Sequence, residues 1–83
     1  MTRDTVWSAQ ALVDLENLPW RDAESVCRAI VRLVERSEGD VERLSANPAD
    51  NRFVLREPGY RIVFSYDRGT RTFHVWRVLG PRA

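Results

Sequence analysis

The chain has no lysine: all thirteen of its basic residues are arginine. Every cation is therefore a planar, permanently charged fork suited to bidentate contact with phosphate or carboxylate, although a GC-rich genome produces the same bias. A single cysteine, Cys27, excludes an internal disulfide, and its place between Val26 and Ile30 in a helical pattern predicts a small buried hydrophobe. One histidine with one cysteine cannot build a zinc site, no glycine-rich phosphate loop occurs, and the serine, histidine and acidic residues form no nucleophile motif. Apolar runs are only a few residues long, and Met1 to Thr5 carries no apolar stretch with a small-residue cleavage site. The sequence thus predicts neither a membrane span nor secretion, and suits a reducing cytoplasm. Internal repeats and low-complexity tracts are absent. The 83 residues read as one domain, 1–83, close to the size at which a single core is only just sufficient.

The charge that is present is unevenly placed. Residues 51–83 hold seven arginines against Glu57 and Asp67, whereas residues 1–50 hold six arginines and ten acids, so a net charge of +1 hides a two-faced chain. Such asymmetry points to a polyanion or an acidic partner meeting the C-terminal half.

Thr5 to Trp7 is a short β-prone piece. Ser8 stands where an N-cap belongs, ahead of Leu12, Leu15 and Leu18 at three-residue spacing, and Pro19 ends that helix. A second helix is predicted from about Trp20 to Ser37 on the stripe Ala23, Val26, Cys27, Ile30, Val31 and Val34, with Gly39 as its stop. Trp20 is expected to cover the hairpin junction. Beyond the turn cluster Asn47 to Asn51, strands are predicted over Arg52–Arg56, Tyr60–Tyr66 and Arg71–Leu79, parted by Glu57-Pro58-Gly59 and by Asp67 to Thr70. The order β-α-α-β-β-β implies an α+β fold, an N-terminal helical hairpin packed on one face of a small antiparallel β-sheet.

Strand periodicity assigns the faces. Phe53, Leu55, Tyr60, Ile62 and Phe64 read as the core side, and Arg52, Val54, Arg56, Arg61, Val63 and Ser65 as the opposite side. Arg52, Arg56 and Arg61 are therefore expected to converge on the face without helices, with Arg82 nearby and few acids to neutralise them. An uncovered antiparallel face that is simply solvated would carry the same residue types. Asp14, Glu16, Glu35 and Glu38 read as solvated helical acids, and Trp7 and Trp76 as core residues.

The ordered set runs through Trp7-Ser8, Ala11, Leu12, Asp14 and Leu15, Leu18-Pro19, then Val41, Arg43 and Leu44. It continues through Arg52-Phe53-Val54-Leu55-Arg56, Gly59-Tyr60-Arg61-Ile62-Val63-Phe64 and Val75-Trp76-Arg77-Val78 to Gly80 and Arg82. This set resembles the RelE/ParE superfamily of type II toxin-antitoxin toxins over nearly the whole chain. The resemblance implies a RelE-like fold and a cognate antitoxin whose extended, often acidic segment wraps the basic face. It also implies one of two activities: RelE-like members cut mRNA in the ribosomal A site without metal, so that no cofactor is expected, whereas ParE-like members poison DNA gyrase. A third alternative is a member that only binds its antitoxin. Carried over by position, Arg52, Arg61 and Arg82 are the expected catalytic residues, and Arg52, Arg56, Arg61, Arg77 and Arg82 the expected RNA-binding set. Val54 stands where RelE-like cutters often have a second basic residue, and no Tyr or His follows Arg82. Cleavage through the 2′-hydroxyl needs a base, charge stabilisation and a proton for the leaving oxygen. Arginine suits the second task alone, and the remaining proton carriers are His74, expected to be packed if it shares a face with Trp76 and Val78, Tyr60, Tyr66 and Glu57.

Overall fold

Ser8 joins the first strand, β1 (Asp4–Trp7), to the first helix, α1 (Ala9–Glu16). Its extended backbone leaves the strand, and its Oγ accepts from the Ala11 N–H at 3.0 Å, satisfying one of the free donors of the helix start. The same hydroxyl donates to the Trp76 carbonyl at 2.8 Å, so the cap also fastens α1 to the last strand. The computed structural model describes residues 3–80. Its further elements are α2 (Trp20–Arg36), β2 (Asp40–Arg43), β3 (Phe53–Glu57), β4 (Tyr60–Asp67) and β5 (Thr72–Leu79).

The α+β architecture is the expected one, with a helical hairpin against one sheet face, but the sheet is larger and mixed. It has five strands in the order β1-β5-β4-β3-β2, with β1 parallel to β5 and the other pairs antiparallel. The helical hairpin carries the chain from β1 at one edge to β2 at the other, and the antiparallel run β2-β3-β4-β5 brings it back to lie parallel beside β1. The short edge strand β2 was not predicted, because Asp40-Val41-Glu42-Arg43 contains one apolar residue and all four positions are exposed.

The core lies between α2 and the sheet. Val26, Ala29, Ile30, Leu33 and Val34 are the buried stripe of α2, rotated from the predicted one: Val31 is 50% exposed and Cys27 only half-buried. On the sheet the stripe meets Leu55, Ile62, Phe64, Phe73, Val75 and Val78, and fully burying a side chain such as Leu55 or Ile62 contributes about 1.5–3 kcal/mol. Ser37, not Gly39, is the left-handed residue at the end of α2, with φ 55°. Gly39 answers a different need, since a Cβ there would meet Leu55 Cδ1 at 2.6 Å. Trp20 is 69% exposed, its ring under the Arg21 guanidinium at 5.2 Å, and does not cover the hairpin junction.

Candidate nucleic-acid interface

Register places the arginines. Arg56 and Arg61 are direct cross-strand partners on β3 and β4, and Val63, two residues beyond Arg61 on the same side, faces Arg77 of β5. Arg56, Arg61 and Arg77 therefore share the face turned away from the helices. Arg52 lies just ahead of β3, where alternation puts it on the same side. Arg82 lies outside the described residues.

Most of these cations are already engaged. Arg52 grips Asp50 through Nε and Nη2, both at 2.9 Å, and this bidentate pairing, with the Arg52 backbone N–H, pulls the Asp50 carboxyl down to about 2. Arg56 pairs with Glu42 of β2. Arg77 Nε donates to Asp14 Oδ2 at 2.8 Å, and the Val78 N–H donates to the same oxygen at 2.9 Å. Asp14 is thus not the solvated helical acid its sequence position suggested. Burial, the largest single influence, pushes its carboxyl up, but the hydrogen bonds from Arg77, Val78 and Gln10 outweigh it and leave it below the ordinary value. Arg61 has no ion pair or hydrogen bond among the described residues. The expectation of few neutralising acids fails because the partners come from the acidic N-terminal half.

A bulge between Val63 and Phe64 rearranges β5. Val63 pairs with Arg77 and Phe64 with Val75, which leaves Trp76 without a partner and puts two residues between the core positions Val75 and Val78. Trp76 consequently leaves the core and lies 40% exposed beside His74, with ring centroids 5.6 Å apart and planes 14° from parallel. Its Nε1–H donates to Ser65 Oγ at 2.9 Å. His74 shares the open face with Trp76 but not with Val78, so it is not the core histidine considered from the sequence.

Of the four proton carriers, only His74 belongs to the open face. Glu57 and Tyr60 are cross-strand partners on the helix side. Arg32 of α2 approaches Glu57 at 3.7 Å, and the Tyr60 hydroxyl donates to Asp22 Oδ2 at 2.6 Å, which raises the phenol above its usual value. The Tyr66 ring packs on Phe73, with centroids 4.6 Å apart.

No protein-family model and no curated protein matches the chain by sequence. Solved structures match it closely in shape. The toxin-antitoxin complex RelBE2 from Mycobacterium tuberculosis aligns at a TM-score of 0.82 and 22% identity, over 99% of this chain and 100% of that one. The isolated E. coli RelE toxin aligns at 0.78 and 16%, over 98% of this chain and 86% of that one. The chromosomal ParDE system from P. aeruginosa also aligns, at 0.70 and 12%, over 98% of each chain. At these identities the likeness is one of architecture, and the chain has the fold of the RelE/ParE toxins.

Proposed function

We propose that the chain is the toxin of a type II toxin-antitoxin pair and inhibits translation by cutting mRNA on the ribosome. The observation that carries this reading is Arg61, which stands on the open face beside Arg56 with no carboxylate of its own among the described residues. A permanently charged guanidinium free to take a phosphate is what the crowded negative charge of the cleavage transition state calls for. In this reading Arg61 stabilises the phosphorane, Arg56 and Arg77 hold the flanking backbone, and Arg52 and Arg82 complete the site. Arg52, Arg56 and Arg77 must each exchange an internal carboxylate for a phosphate, so RNA competes with Asp50, Glu42 and Asp14. Tyr60 takes no part as a base, because Asp22 holds its proton. Catalysis then rests chiefly on positioning and arginine electrostatics. The partner is an antitoxin, in keeping with the RelB-RelE complexes that share the fold.

A gyrase-directed activity of the ParE kind is the second reading. It is favoured by Val54, which is 7% exposed at a position where a cutter would use a cation, and by the internal pairing of three arginines. Cell-free translation with the purified protein, followed by primer extension on the message, separates the two. Halted synthesis with discrete cuts inside ribosome-bound codons is expected, and Arg61→Ala is expected to abolish them with an unchanged melting temperature, since an exposed strand arginine contributes little to stability. Undisturbed translation and intact message would sink the mRNA-cutting reading in favour of the gyrase target.

A further inference from the structure

Trp76, like Trp20, is a large aromatic ring held at the surface while the core is filled by smaller aliphatic side chains and phenylalanine. A single exposed aromatic is ordinary on a protein surface, so what points to a role here is that the ring is fixed and what stands around it. Three contacts fix Trp76. Its backbone carbonyl accepts from Ser8 Oγ at 2.8 Å, its Nε1–H donates to Ser65 Oγ at 2.9 Å, and one side of its ring is stacked on His74. The bulge that aims it outward is a local departure from strand geometry, and such departures re-aim side chains next to functional sites.

The surroundings narrow what the ring is for. His74 and Trp76 line a groove of about 400 Å³ together with Asn51, Ser65 and Arg68. Arg68 has no ion pair or hydrogen bond among the described residues, so an unneutralised guanidinium flanks the aromatic pair. Asp67 also borders the groove, but its Oδ1 is committed to the turn, accepting from the Gly69 N–H at 2.8 Å and the Thr70 N–H at 3.4 Å. Arg61 lies on the same side of β4 as Ser65, four residues away, roughly 13 Å along a strand at about 3.3 Å per residue. An aromatic plane, an amide at its rim, and free cations on either side match a single-stranded nucleotide: a base to stack, with phosphates on the flanks.

We propose that His74 and Trp76 form a stacking platform for one unpaired RNA base, and that Ser65 positions the indole for it. This rests on the reading of the open face as an RNA surface and adds a base subsite to it. Pre-setting the rings means that little ordering is left to be done on binding. Stacking is tolerant of base identity, so the platform anchors the strand and leaves sequence choice to other contacts.

The test is the affinity of the full-length protein for two fluorescein-labelled 2′-O-methyl RNA hexamers, read by anisotropy. One is oligoadenylate and the other has the same backbone with abasic sites; neither can be cut through a 2′-hydroxyl. Wild type is expected to bind the adenylate probe about tenfold more tightly than the abasic one. Trp76→Leu is expected to remove that difference while leaving abasic binding unchanged, and Trp76→Phe to keep most of it. Ser65→Ala should give a smaller loss confined to the adenylate probe. Equal wild-type affinity for both probes, or an equal loss on both in Trp76→Leu, would overturn the platform. Failure to bind either probe would also overturn it, yet halted cell-free translation would still uphold mRNA cutting. Base-selective binding with undisturbed translation would uphold the platform and sink the cutting activity.

Discussion

At the residue scale, what separates the open-face arginines is whom each already holds. Among the described residues Arg52, Arg56 and Arg77 have carboxylate partners and Arg61 does not, although in the sequence the four look alike. Spacing along a strand reveals which face a side chain takes, but a partner 63 positions away, as Asp14 is from Arg77, leaves no local signal. The Asp50–Arg52 pair has a consequence in pH. The Asp50 carboxyl sits at about 2 in the fold and at 3.8 when free, so its stabilisation is fully present above about pH 4 and lost as pH falls toward 2. Asp14, also lowered, acts in the same direction. Thermal melts between pH 5 and pH 2 are therefore expected to show the difference between wild type and Asp50→Asn shrinking with acidification. A gap that stays constant to pH 2 would mean that the pair contributes nothing to the fold.

Among the elements, α1 acts less as a core helix than as a seal on the sheet edge. β1 pairs only with residues 72–75 of β5, and the rest of that edge is closed by α1 side chains: Ser8 takes the Trp76 carbonyl and Asp14 the Val78 N–H. Asp14→Ala leaves that N–H without its acceptor and is expected to cost about 1–3 kcal/mol in urea unfolding, more than an exposed helical acid would. Gly39 serves the turn into β2. Gly39→Ala drives a methyl group onto Leu55 and is expected to destabilise by about 1–3 kcal/mol by the same measurement. Both helices and four of the five strands were legible, the helices and β3 to β5 from the period of their apolar residues and β1 from its β-prone Thr5-Val6-Trp7. Strand β2 was not, since Val41 alone cannot show a period, and its pairing with β3 is a tertiary fact. Trp76 was misread as core for a related reason: alternation counted straight through β5 ignores the extra residue of the bulge. The candidate face was legible as a row of arginines, but its aromatic groove was not.

For the whole molecule, the separation of charge along the chain is partly undone in space. The ten acids of residues 1–50 include Asp14 and Glu42, which fold back onto Arg77 and Arg56 of the basic half, and Asp50, which holds its near neighbour Arg52. The open face is thus less positive than its arginine count, with Arg61 and Arg68 as its unpaired described cations. Nucleic-acid affinity should therefore fall with salt less steeply than seven C-terminal arginines would suggest, because each phosphate contact contributes only about 0.7 to the slope of log K against log salt on a single strand. Removing an internal competitor should reverse this. Asp50→Asn keeps an acceptor oxygen for the Arg52 N–H, and Glu42→Gln lies on an exposed edge strand, so both variants are expected to fold. Each frees one arginine, and each is expected to raise affinity for the adenylate hexamer at low salt and steepen the salt slope by about 0.7, with the double variant near 1.4. Slopes identical to wild type in both would show that Arg52 and Arg56 never reach the RNA backbone and that their acids hold them for the fold alone.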